Sequence, residues 1–174
     1  MSNDLKDREV WQRGPVEGIP DLLQPVAHAL LQAVEELDRF TANMPAGKLW
    51  ERPADVASVG FHLMHIRGVI DRLFTYARGE SLTADQLRDL AIEKEASSDG
   101  VAPSFLLDAV RAQVDKALDQ LRNTPEVKLT EGRTLGRKQI PTTVIGLLFH
   151  AAEHTQRHVG QLLVTAKIVT QQKG

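Results

Sequence analysis

Four long segments of this chain carry apolar residues at the three- and four-residue spacing of an α-helix. In the first segment the apolar positions are Leu22, Val26, Leu30, Val34 and Leu37. The pattern predicts helices over residues 22–43, 54–78, 104–123 and 142–169. A single amphipathic helix of this length is marginal in water, so each must pack its apolar side against the others. The sequence therefore predicts an all-α fold, a four-helix bundle.

The stretches between these helices are shorter and less regular. Residues 1–20 contain several glycines and prolines and predict an irregular lead-in. A short extra helix is expected from about residue 81 to 96, followed by a loop over 97–100. Residues 124–140 alternate weakly, which leaves a small hairpin or an extended loop open. The polar tail, 170–174, is expected to fray at the end of a single domain.

Composition narrows the class of protein further. The 174 residues are 42% hydrophobic and 25% charged, which is typical of a folded chain, and the net charge of −2 gives no general attraction to nucleic acid or an anionic membrane. No apolar run approaches the roughly 18 residues of a spanning helix, and the charged N-terminus does not resemble a signal peptide. The absence of cysteine excludes disulfides, thiolate ligands and a cysteine nucleophile, and it suits a cytoplasmic protein.

The histidines are concentrated in two predicted helices. Of six histidines in the chain, His150, His154 and His158 follow one another at four-residue intervals on the last helix, and His62 and His65 lie on the second. Residues four apart share one side of a helix, a turn above one another. Two histidines from one helix and one from another can form a three-nitrogen metal site with an open position.

Helix geometry limits which histidines can share a metal ion. His150 and His158 are separated by about 12 Å of helix rise, so the pair must be 150/154 or 154/158. A helical projection favours His154 and His158, because His150 lies farthest from the apolar side. On the second helix the same projection favours His62 over His65, although a buried histidine with one hydrogen-bonded nitrogen explains His62 equally well. The motif has no Glu after its first histidine, so it is not the zinc-peptidase signature.

Two segments resemble the DinB/YfiT-like superfamily of metal-dependent proteins. They are Ser58-Val-Gly-Phe-His-Leu-Met-His-Ile-Arg-Gly and, on the last helix, His154-x-x-x-His158-x-Gly-Gln161. The similarity extends from the first long helix to the last, and it implies a four-helix bundle.

The resemblance also implies a ligand set. The family's ligand on the second helix corresponds to His65, and the other two correspond to His154 and His158. His62 is then expected either to contact one of these ligand residues without binding the metal itself, or to lie in the core. Where the family often has a basic residue after the last histidine, this chain has Val159.

The predictions for other residues near the histidines are less specific. His150 is expected at the surface or on the rim of a pocket, and His28 is expected to be solvated rather than to face the same cavity. Gln161 could contact the last histidine of the pair or a ligand. Trp50 could form a wall of the pocket, although simple packing is favoured. Glu153 points about 100° away from the adjacent histidine and is a poor ligand candidate.

Three imidazoles favour a divalent transition metal, zinc or nickel, with an open position for a small-molecule substrate. The resemblance implies a metal-dependent enzyme, a transferase or hydrolase. Because the superfamily includes transferases and isomerases that use low-molecular-weight thiols, a transferase would take such a thiol as cosubstrate. Two alternatives are a non-catalytic metal-binding or stress-response protein and a helical dimerisation module with incidental histidines. A homodimer is also expected, with Val69 and Tyr76 as candidate interface residues.

Overall fold

The structure is a computed structural model that describes residues 8–95 and 101–171. In these residues five α-helices and one two-stranded antiparallel sheet follow one another along the chain. They are α1 (Gln24–Thr41), α2 (Val59–Ala77), α3 (Ala84–Glu95), α4 (Pro103–Arg122), β1 (Gly132–Leu135), β2 (Ile140–Thr143) and α5 (Val144–Gln171). Short 3₁₀ turns occupy parts of the connections, including Val10–Arg13 in the otherwise irregular residues 8–20.

The four long helices form the bundle that the apolar spacing predicts. Both α1 and α2 pack against α4 and α5, and α3 lies outside the bundle against α2. Each long helix contributes fully buried leucines to one core, among them Leu30, Leu63, Leu121 and Leu148. Burying one such side chain contributes about 1.5–3 kcal/mol, which compensates for the marginal stability of the separate helices. The all-α four-helix bundle and the short extra helix are therefore confirmed.

The second helix begins later than its sequence pattern predicts. Pro53–Asp55 forms a 3₁₀ turn in which Ala54 and Asp55 have positive φ angles of 49° and 59°, so a continuous helix from residue 54 is not possible. Ser58 then caps α2, because its side chain accepts a hydrogen bond from the backbone N–H of Phe61 at 3.2 Å. This cap sets the helical register of the two histidines that follow.

The hairpin alternative for the region before the last helix is correct, but its position is shifted. Gly132 pairs with Thr143 and Arg133 pairs with Thr142, so residues assigned to the last helix by the sequence belong to β2. α5 begins at Val144 and extends to Gln171. The predicted loop over 97–100 and the last three residues of the tail lie outside the described residues.

α2 has a larger share of buried residues than the other long helices. It packs against α3, α4, α5 and β1, and 13 of its 19 residues are buried. A helical projection assumes one apolar side and one solvated side, and this assumption does not hold for α2. Among the described helices, none combines the length and hydropathy that a membrane-spanning segment requires.

Candidate metal centre

Three histidines from two helices meet at the interface between α2 and α5. Nε2 of His65 lies 3.0 Å from Nε2 of His154, and Nε2 of His158 lies 3.1 Å from the same atom. One ring nitrogen from each residue lies within 4.8 Å of the other two. The structure thus brings together the residues that the resemblance implies as ligands.

Two of the three separations between these nitrogens can be compared directly with those around a small metal ion. At zinc–nitrogen distances of 2.0–2.1 Å, two ligands of a tetrahedral site are separated by about 3.4 Å. The observed separations of 3.0 and 3.1 Å differ from that value by only a few tenths of an ångström. Three nitrogens leave the fourth tetrahedral position for water or substrate. The cluster is therefore compatible with metal binding.

A buried carboxylate holds the ring of His65. Nδ1 of His65 lies 3.0 Å from Oε2 of Glu93 on α3, so with Nδ1 protonated it donates to that oxygen and leaves Nε2 unprotonated. Glu93 is only 4% exposed and also accepts hydrogen bonds from Nη1 and Nη2 of Arg72, at 2.5 and 3.2 Å. A carboxylate behind a ligating imidazole is a common arrangement in metal sites, where it fixes the ring's orientation and tautomer.

The helix backbone leaves space for this carboxylate at Gly68. A Cβ atom at Gly68 would lie 1.9 Å from Oε1 of Glu93 and 2.5 Å from Nη1 of Arg72. Any side chain at this position would therefore displace the ion pair. Burial of the Glu93 carboxyl would by itself raise its pKa, but the hydrogen bonds from His65 and Arg72 and the charge of Arg72 outweigh it and hold the pKa below its ordinary value.

His62 lies behind a different member of the cluster. Its Nδ1 is 2.9 Å from Nδ1 of His158, and the residue is 3% exposed. When Nδ1 of His158 carries the proton, it donates to His62 and directs its own Nε2 towards His154. The projection was therefore correct that His62 is the more buried histidine of α2, but Nε2 of His65 is the atom that joins the cluster. Nδ1 of His154 is buried without a hydrogen-bond partner in the described part of the chain.

Three of the histidines at this interface, His62, His154 and His158, are held in their neutral form. Burial, reinforced by the nearby His65, lowers the pKa of His62 to about 4, and burial with the neighbouring histidines lowers the pKa of His158 to about 3. Burial, followed by the charges of His65 and His150, also lowers the pKa of His154. Neutral imidazole is the form that binds a metal ion, so these residues need not lose a proton at neutral pH.

A cavity of about 340 Å³ reaches the cluster at His65 and His154. Apart from these histidines, His150 and Arg72, its walls are apolar or aromatic and come from α2, from Leu82 and α3, and from the hairpin: Val69, Leu73, Tyr76, Leu82, Leu90 and Leu135. Val69 and Tyr76, the candidate dimer residues, thus line a cavity beside the histidines within one chain. The side chain of His150 is 51% exposed on the cavity wall, as expected for a rim residue.

The remaining candidates lie apart from the cluster. His28 is 3.1 Å from the carbonyl oxygen of Gly14, and Glu153 pairs with Arg157 on the solvent side of α5. Gln161 is exposed. Trp50 packs on the backbone of α2, where a Cβ at Gly60 would lie 2.6 Å from its ring, so the packing interpretation accounts for it.

The sequence reasoning missed Glu93 and Arg72. Glu93 lies in a polar helix with other charged residues, and nothing in its spacing distinguishes it from solvated neighbours. Arg72 carried a weak signal, because a charged residue stands between Ile70 and Leu73 in the apolar pattern of α2. A buried arginine almost always has a partner, but the sequence does not indicate which carboxylate supplies it.

The fold and the site together define the general class of this protein. It is a four-helix bundle with a histidine cluster between α2 and α5 that is compatible with metal binding. The family model of the DinB superfamily matches residues 26–162, so the chain belongs to the DinB superfamily. A crystal structure of a conserved protein from Enterococcus faecalis has the same fold, with a TM-score of 0.66 and 18% identity over 85% of this chain and 96% of that one. No curated protein matches the sequence.

Proposed function

We propose that this protein binds one divalent transition-metal ion, zinc or nickel, through Nε2 of His65, His154 and His158, and that it is a metal-dependent enzyme acting on a small molecule. The convergence of the three Nε2 atoms, with contacts of 3.0 and 3.1 Å, is the observation that carries the proposal. The ligand set contains no carboxylate, which favours zinc or nickel over an iron site of the two-histidine, one-carboxylate type.

The chain's own residues prepare two of the three ligands. Glu93 accepts the Nδ1 proton of His65, and His62 can accept the Nδ1 proton of His158, so the lone pairs of both Nε2 atoms face the centre. A metal ion with an open position would polarise a substrate oxygen or lower the pKa of a bound water. The apolar cavity beside His65 and His154 would hold the apolar part of a substrate next to that position.

We further propose that the reaction is a thiol-dependent transfer. The chain has no cysteine, so a thiol nucleophile would have to come from a low-molecular-weight cosubstrate. The resemblance of the two histidine segments, which implies a thiol cosubstrate, is the basis of this proposal. A homodimer and a cytoplasmic location stay predictions.

Metal analysis of untagged protein tests the binding site. After incubation with zinc or nickel and gel filtration, we expect about one equivalent per chain in the wild type and less than about a tenth in His65→Ala, His154→Ala and His158→Ala. His150→Ala and His28→Ala are matched controls and should retain the metal. A wild type without metal would contradict the proposal, and loss of binding in His62→Ala but not in His65→Ala would contradict the ligand assignment.

Catalysis needs a separate experiment. The metal-loaded protein would be incubated with an electrophile, such as a haloarene or a maleate derivative, and with a series of low-molecular-weight thiols, and loss of the electrophile would be followed. We expect turnover with at least one thiol, abolished by His154→Ala and retained in His28→Ala. Metal binding without turnover for any pair would favour the non-catalytic metal-binding alternative.

A further inference from the structure

A second cavity adjoins the one beside the histidines. It has a volume of about 580 Å³ and lies between Leu82, α3 and the turn that joins β1 to β2. The two cavities share four wall residues, which are Tyr76, Leu82, Leu90 and Leu135. A molecule that entered at the turn could therefore reach His65 and His154 along one continuous wall.

The shared wall and the outer cavity are predominantly apolar. Besides the shared residues, the outer cavity is lined by Leu87 and Ile140, whose exposed fractions are 48% and 51%. Large apolar side chains that converge on a concave surface usually mark a binding site, whereas isolated ones do not. The lining therefore fits the apolar body of a ligand.

Two basic residues stand at the outer end of this path. Arg137 and Lys138 line the outer cavity at the turn of the hairpin, and neither forms an ion pair with an acidic side chain in the described ranges. The turn is held by Gln139, whose side chain accepts from Thr134 Oγ1 at 2.8 Å and donates to the carbonyl of Gly136 at 3.0 Å. The two positive charges are thus presented on a hydrogen-bonded turn.

The arginine and lysine side chains that line the two cavities are not balanced by acidic side chains in the lining. No carboxylate is among the residues that line either cavity in the part of the chain the structure describes. Arg72, in the inner cavity, is already paired with Glu93. Glu80, in a neighbouring cavity, is paired with Arg78. Among the side chains that line the two cavities, Arg137 and Lys138 are therefore the cations available to an anionic group.

We propose that the two cavities form one binding site for an amphiphilic monoanion, with its anionic group at Arg137 and Lys138 and its apolar body against the shared leucines. This inference names the substrate class of the metal site and rests on the proposed function in that respect. The end of the molecule that carries the reacting group would then lie beside His65 and His154. An apolar contact along Leu90 and Leu135 would supply affinity, and the basic turn would supply selectivity for the anion.

Decanoate and its neutral counterpart decanol are suitable probes. Their binding to the zinc-loaded protein would be measured by titration calorimetry below the concentration at which decanoate forms micelles. We expect decanoate to bind more tightly than decanol. Because exposed ion pairs contribute up to about 1 kcal/mol each, the double substitution Arg137→Gln, Lys138→Gln should raise the Kd of decanoate about five- to tenfold and leave that of decanol within about twofold.

Three further variants separate the contributions of the apolar wall and the basic turn from general effects on the protein. Leu90→Gln should raise the Kd of both probes about five- to tenfold, because it places an amide against the apolar chain. Ile92→Gln, on the same helix and 47% exposed outside these cavities, is its matched control. The double substitution Arg88→Gln, Lys116→Gln removes two exposed charges elsewhere and should change neither affinity. Equal thermal stability of all variants would show that folding is intact.

The inference would be overturned if the change at Arg137 and Lys138 left decanoate binding unaltered. It would also be overturned if removal of zinc abolished binding, because the carboxylate would then bind the metal rather than the turn. Zinc binding without decanoate binding contradicts this inference alone. If the protein takes up neither zinc nor nickel but binds decanoate in a way that depends on the turn, the proposed function is contradicted. The amphiphile site is then still supported.

Discussion

Replacement of Glu93 by glutamine tests the link between α3 and the histidine cluster. The substitution keeps the shape of the side chain and removes its charge. Glu93 is 4% exposed and contacts Arg72, 8% exposed, and Nδ1 of His65. The glutamine variant leaves the guanidinium of Arg72 buried without an anion beside it, and it replaces the carboxylate behind His65 with a weaker acceptor.

The structure gives a magnitude for each effect. Removing one partner of a buried ion pair costs about 3–5 kcal/mol, and a glutamine oxygen can still accept one hydrogen bond, so we expect a loss of about 3 kcal/mol in the free energy of unfolding. Loss of the carboxylate behind a ligating imidazole typically weakens metal binding by about 10- to 100-fold. Both losses should appear in the same variant.

Urea unfolding of the metal-free protein measures the first effect, and competition with a chromogenic zinc chelator measures the second. Asp89→Asn is the matched control on α3, because Asp89 pairs with Arg67 at the surface, where both side chains are more than a third exposed. It should cost no more than about 1 kcal/mol and leave metal affinity unchanged. The double variant Arg72→Leu, Glu93→Leu should recover most of the stability, since apolar replacement of a buried pair is often neutral, but not the metal affinity.

The reasoning would be refuted if Glu93→Gln cost no more stability than Asp89→Asn and bound zinc as tightly as the wild type. Glu93 would then contribute neither to the packing of α3 nor to the orientation of His65. Recovery of full metal affinity in the double leucine variant would refute only the claim that Glu93 orients His65 for metal binding, because in that variant no carboxylate at position 93 accepts from Nδ1 of His65.

Two further pairs of substitutions, each a test with its control, examine the packing around the site and in the core. Gly68→Ala places a Cβ 1.9 Å from Oε1 of Glu93 and should cost at least about 2 kcal/mol in urea unfolding. Gly160→Ala on α5 should be neutral or gain about 0.5–1 kcal/mol, because a Cβ there would meet no described atom within 4 Å beyond its chain neighbours and the helix's own backbone. Equal effects at both glycines would contradict the close approach at Gly68. Leu148→Ala, at a fully buried position, should lower the thermal midpoint and cost about 2–5 kcal/mol. Phe149→Ala, at 62% exposure, should remain within about 0.5 kcal/mol, and a comparable loss there would be inconsistent with the orientation of α5.

The bundle itself could be predicted because its signal is local. The apolar spacing of each segment reflects the 3.6-residue turn of the helix, which backbone hydrogen bonds impose whatever the rest of the chain does. Boundaries were less accurate where turn geometry or strand pairing intervened. The positive φ angles before Val59 and the pairing of Thr142 and Thr143 with residues about ten positions earlier leave no mark in the apolar pattern.

The histidine pair on α5 could also be predicted from the sequence. The rise of one helix excludes His150 and His158 as joint ligands, and the helical projection then favours His154 and His158. The choice on α2 could not be made from periodicity. Burial and participation in the cluster are different properties there, since His62 is the more buried residue and yet contacts His158 only through Nδ1. The family resemblance pointed to His65, and the structure places its Nε2 against His154.

The sequence by itself thus determined which residues share one side of one helix. That was sufficient to predict the bundle and to predict that His154 and His158 lie one turn apart on the same side of α5. Only the tertiary structure decided which residues meet across helices. His65 reaches Glu93 across 28 residues and His154 across 89, and Arg72 meets Glu93 where Gly68 leaves space. Such contacts depend on the packing of whole helices, because side chains far apart in the chain are brought together by burial of apolar surface and not by any local repeat.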